Sequence, residues 1–154
     1  MRLARFRAFA LETLRNAPDI REVESWDRGD HTVGLHVTFS TGAQIWVGIT
    51  AALAPGEKHE NAEAPVHGEA PAELPFPELF QDGSITPERA KHYFAAAMAN
   101  SGCDEIARAY PYTDDGHPGF GVHFHNGSKV FCLLVHTARP GQSPGSKYEL
   151  QKTF

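Results

Sequence analysis

The chain has 154 residues, 41% of them hydrophobic, and a net charge of −5, which suits one ordinary globular core. No apolar run approaches the roughly 20 residues needed to cross a bilayer, and no broad basic surface is available for nucleic acid. Cys103 and Cys132 could form at most one bridge, so a disulfide framework is excluded and a cytoplasmic setting is expected.

The N-terminal stretch MRLARFRAFALETLR is basic and amphipathic, without the apolar stretch or cleavage site of a signal peptide. Leu3, Phe6, Ala10 and Leu14 recur at three- and four-residue spacing, which predicts a first helix with one apolar face. Residues 20–27 follow as a modest strand. Val33 to Ile49 reads as a hairpin turning at Thr41-Gly42. A two-residue turn there puts Val33, Leu35, Val37, Phe39 and Trp46 on one face. Ile45, Val47 and Ile49 then share the other face with His36 and Thr38.

Residues 51–85 change character. They are rich in Ala, Glu and Pro, and carry seven acidic residues against Lys58, a net −6; the rest of the chain holds 13 basic and 12 acidic residues. One reading is a solvated linker. The sharper one is that LPFPELF, with Phe76 and Phe80, docks as an extended apolar strip on the protein's own sheet or on a partner.

A second helix is well signalled after the insertion. Thr86 is a good N-cap and Pro87 suits the first helical position. Phe94, Ala97 and Met98 form the apolar stripe, and the helix should end between Asn100 and Gly102. Residues 105–112 read as a strand with Ile106, Arg108, Tyr110 and Tyr112 on one side.

The segment GFGVHFHNGSKVFCLLVH, residues 119–136, is the clearest hairpin, because Asn126-Gly127 is a strong two-residue turn signal. That turn pairs Val122 with Phe131 and His123 with Val130. Phe120, Val122, Phe124, Phe131, Leu133 and Val135 then make a core face. His123, His125, Val130, Cys132 and Leu134 make the other, with His117 and His136 at its open end. His123 and His125 would stand about 7 Å apart on that face, a chelating spacing. The pair is similar to the opening of the cupin metal motif, but the Glu required shortly after it is missing. No Cys-x-x-Cys or His-Glu-x-x-His pattern occurs, so no metal and no cofactor are expected. There is no Gly-x-Ser-x-Gly elbow, and Gly119-Phe120-Gly121 lacks the helix a dinucleotide site needs. Acidic residues in the loops (Asp27, Asp30, Asp114 and Asp115) are explained by turn chemistry. Residues 141–154 read as a loosely held tail in which KYELQKTF could form an edge strand.

Set side by side, VTFSTGAQIW (37–46) and VHFHNGSKVF (122–131) match at a constant offset of 85, and WDRGDH lies on YTDDGH at an offset of 86. The expected fold is therefore α+β: two helix–strand–hairpin repeats, 1–50 and 86–140, joined by the 51–85 insertion. The sheet is mainly antiparallel, with the helices packed on one face. Ile45, Val47, Ile49, Val130 and Leu134 would form an apolar strip on the other face, beside His123 and His125, and such a strip should be covered. The expected function is a non-catalytic binding or assembly module that contacts itself or a protein partner through this face and through Phe76 and Phe80. The alternative is a small enzyme or ligand-binding protein with His36, His123 and His125 around a pocket.

Overall fold

A computed structural model describes residues 1–27 and 33–154. Asp30 and most of the WDRGDH segment lie outside the described residues. The elements are α1 (Leu3–Arg15), β1 (Ile20–Asp27), β2 (Val33–Phe39), β3 (Gln44–Ala52), α2 (Pro87–Ala99), β4 (Ile106–Pro111), β5 (Gly119–Phe124) and β6 (Lys129–Ala138). The fold is α+β, with two helices and one six-stranded antiparallel sheet in the order β1-β2-β3-β6-β5-β4.

Local chemistry sets the helix ends. Thr86 Oγ1 accepts from the Arg89 amide at 3.2 Å, and Pro87 opens α2, where its missing N–H leaves nothing unpaired. Gly102 follows with a φ of 75° and turns the chain out of the helix. The aromatic core joins helices to strands. Phe6 of α1 meets Phe124 edge-on at 6.2 Å, while Phe94 of α2 meets Phe39 at 6.1 Å and Phe120 at 5.6 Å.

The hairpin register differs from the expected one. Both hairpins close with three residues: the Gly42 amide donates to Phe39 O and the Gly127 amide to Phe124 O, each at 2.9 Å, and both glycines have φ near 92°. This is a type I turn followed by a left-handed residue, which glycine adopts without a Cβ clash. Val37 consequently faces Ile45, and Val122 faces Val130. A slip of one residue moves a whole strand to the other face. Ile45, Val47, Ile49, Val130, Cys132 and Leu134 therefore join the core, each at most 1% exposed. Trp46, Phe131 and Leu133, expected inside, point to the outer face instead. A bulge between Ile106 and Arg108 has a similar effect in β4, leaving Ile106 in the core and Arg108 and Tyr110 outside.

Past Ala52, where β3 ends, the insertion contains no helix or strand apart from an isolated bridge between Gln81 and Ser84, yet it is tied down along its length. Arg5 makes one forked contact with Glu63 and another with Glu105. The Gly68 amide donates to Asp104 O at 2.7 Å. Asn100 clasps the main chain of Leu74 with two hydrogen bonds of 2.7 Å. Leu79 and Ile85 are buried. LPFPELF thus rests against α2, with Phe76 5.1 Å from the Tyr93 ring. The tail departs from its expected strand as well. It has no ladder, and Phe154 is buried beside Phe39, exchanging two main-chain hydrogen bonds with Ile85.

Candidate functional site

The outer face of the sheet, opposite the aromatic core, carries the side chains freed by the observed register. On its first half Trp26, His36, Trp46 and His136 form one aromatic cluster. His36 stacks on Trp46 at 4.3 Å with only 6° between the rings, and His136 sits edge-on to Trp26 at 5.8 Å and to Trp46 at 6.1 Å. Hydrogen bonds orient both imidazoles: His36 Nε2 to Gln44 Oε1 at 2.7 Å, and His136 Nδ1 to Gly145 O at 2.8 Å.

The second half is built over glycines. Tyr110 lies across Gly121, where an added Cβ would come within 2.7 Å of its ring, and Tyr112 and Leu133 close over Gly119. Large rings thereby cover the bare backbone. The Tyr110 hydroxyl and His123 Nε2 share a hydrogen bond of 2.9 Å. Burial, then the nearby Lys129 and Arg108, hold the His123 imidazole below its ordinary pKa, so its ring nitrogen is suited to accept from the phenol. The Arg108 guanidinium lies 4.3 Å from the centre of the Tyr110 ring. Phe131 is 37% exposed, and Trp26, Trp46, Tyr110, Tyr112 and Leu133 are half-buried.

The expected site residues are dispersed by this arrangement. Ile45, Val47, Ile49, Val130 and Leu134 are core residues and form no strip on the outer face. His36 and His123 do lie on the outer face, but β3 and β6 separate their strands, about 14 Å at ordinary strand spacing. His125 belongs to the turn, where its Nε2 contacts Glu69 O at 2.9 Å and its ring packs on Gly68 of the insertion. His36, His123 and His125 therefore line no common pocket. Phe76 keeps 38% exposure beside a groove of about 550 Å³ between the C-terminal ends of α1 and α2, and Phe80 is half-buried.

Among the described residues no group of three or more His, Cys, Asp or Glu side chains is placed to hold a metal ion. The Cys132 thiol is fully buried and pushed far above its ordinary pKa by that burial, so it carries no nucleophilic thiolate. Among the described residues no helix is long and apolar enough to cross a membrane.

Sequence reasoning missed Trp26, Trp46, Tyr110, Phe131 and His136. One signal was available. With a three-residue loop, Val33, Leu35, Val37, Phe39, Ile45, Val47 and Ile49 all fall on one face, whereas a two-residue loop divides them. No family model, curated protein or solved structure matches the chain.

Proposed function

We propose that this chain is a non-catalytic protein-binding or assembly module of the cytoplasm, and that the outer sheet face is its contact surface. The carrying observation is the partly exposed cover of Trp46, Phe131, Leu133, Tyr110 and the histidines. Antiparallel sheets that face water carry mainly polar side chains on the wet side, and aromatic residues are enriched where proteins meet. A fixed, hydrogen-bonded array of rings is suited to binding, since little side-chain freedom remains to be lost. The dispersal of His36, His123 and His125 weighs against the ligand-pocket alternative.

The same reading takes the chain as two helix–strand–hairpin copies about the β3–β6 seam, with both helices directed to the core side. The identical glycine turns at Gly42 and Gly127 support it, as does the sheet order. The insertion supplies a second contact at the exposed edge of Phe76.

A photoreactive residue tests the surface directly. Placed at Phe131 or Trp46, it should yield discrete adducts when living cells are illuminated, while the same residue at Arg15 on α1 should not. Equal labelling at both places, or none at the outer face, would defeat the proposal.

A further inference from the structure

Charge on the outer face is sorted into opposite corners. Glu22 and Glu24 project from β1, beside Thr38 and His36 of β2. Both are exposed, and neither has a cationic partner in any ion pair among the described residues. At the other corner Arg108 of β4 and Lys129 of β6 flank His123 from its two sides. They too are exposed and lack an anionic partner among the described residues. Several other charges are matched: Arg2 to Glu57, Arg5 to Glu63 and Glu105, Arg7 to Asp27, Lys91 to Glu88.

The corners are diagonal. β1 and β4 are the two edges of the sheet, five strand spacings or about 24 Å apart. Through the ladders Glu22 stands level with Gln44, and Arg108 level with Ala52. That interval along β3 is about 26 Å at the rise of an extended strand. Between the corners lie Trp46, His136, Leu133 and Phe131.

We infer that the partner of this face is a second copy of the same chain, turned so that Glu22 and Glu24 of each copy meet Arg108 and Lys129 of the other. This rests on the preceding reading of the outer face as a contact surface, and gives it an occupant. A two-fold axis lying in the face along the other diagonal carries each acidic corner onto the basic corner of its mate. The complementarity is used twice, as a self-matching patch requires. Because the charged diagonal runs about 45° to the strands, the two sheets cross near a right angle, one of the two arrangements in which sheets pack. The patch measures about 600 Å² per copy, or about 1,200 Å² in total, the lower end of specific interfaces. Aromatic rings fill its centre and the charges its rim, which sets orientation.

Sedimentation and light scattering on the full chain decide the matter. The wild type should sediment as a dimer of twice 16.9 kDa. The double variant Glu22→Lys/Glu24→Lys and the double variant Arg108→Glu/Lys129→Glu should each associate at least tenfold more weakly, with unchanged circular dichroism. Mixed one to one, they should recover the dimer, since one then presents only positive corners and the other only negative ones. A dimer indifferent to either variant, or a mixture that fails to recover, would overturn the inference. So would a monomeric wild type. Adducts at Phe131 to a different protein would then preserve the contact surface while removing its occupant, and absence of adducts would remove both.

Discussion

Arg5 grips Glu63 of the insertion and Glu105 ahead of β4 through separate forks of its guanidinium, with contacts of 2.5 to 3.0 Å. The Arg5 hydrogen bonds depress the Glu63 carboxyl from 4.5 to about 2, and lower Glu105 in the same direction. A depressed carboxyl contributes stability above its unfolded pKa and loses it as pH falls toward the folded value. The hold on the insertion should thus be complete above pH 4.5 and fade as pH approaches about 2. Hydrogen exchange of residues 57–74, corrected for the intrinsic rate, should accelerate across that window, and Glu63→Gln should flatten its dependence. A second residue-scale test concerns the glycines beneath the rings. At Gly119 an added Cβ would come within 2.2 Å of the Cys132 carbonyl oxygen, whereas at Gly121 its nearest neighbours are side-chain atoms of Tyr110. Backbone cannot yield as a ring can. Gly119→Ala should therefore cost about 2 kcal/mol or more, and Gly121→Ala clearly less, in chemical denaturation.

At the scale of elements, the hairpins depend on one extra residue in each turn. Val130 is fully buried while its neighbour Phe131 is 37% exposed, so the strand presents opposite properties at adjacent positions. Val130→Asp should unfold the protein, because an unpaired buried carboxylate costs several kcal/mol, most of a small domain's margin. Phe131→Asp should fold with a melting temperature near that of the wild type. Thermal denaturation of the two variants checks the register, and the opposite ranking would restore the two-residue turn. The insertion is governed by fewer contacts. Asn100 joins it to the end of α2 by two hydrogen bonds to Leu74, each worth about 1 kcal/mol net. Asn100→Ala should lower stability by about 1–2 kcal/mol, and limited proteolysis should then cut faster between residues 71 and 80.

For the whole molecule, the core uses one side of the sheet and leaves the other to a carpet of aromatic and imidazole rings. In the proposed dimer two contributions to association follow, and they respond differently to salt. The charged rim is screened, with a Debye length that shrinks from roughly 10 Å at 0.1 M salt to about 3 Å at 1 M. The aromatic centre is not. Dimer dissociation should therefore increase between about 0.1 and 1 M sodium chloride in the wild type. Trp46→Ala should weaken the dimer by a similar factor at both concentrations. Sedimentation at the two salt levels separates these contributions, and a salt-independent wild type would leave the corners without a role.

Periodicity, capping residues and turn glycines were enough to locate both helices, the six strands and the tie between fold class and sheet. Thr86-Pro87, Gly102 and the apolar faces of α1 and α2 carry their information locally, within a turn or two of the chain. The face on which each strand rests is not local. It depends on whether Ser40-Thr41-Gly42 and His125-Asn126-Gly127 close as three residues or two, a choice made by which arrangement buries more apolar surface at once. That balance involves Ile45, Val47, Ile49, Val130 and Leu134 packed together with Phe6, Phe94 and Phe120, residues from every part of the chain. The outer face was legible only after that choice, for Trp46 and Phe131 owe their exposure to the burial of the residues beside them. The resting place of LPFPELF was decided in the same way: composition announced an apolar strip, but Asn100 and Tyr93, brought alongside by the folded helix, determined where it lies.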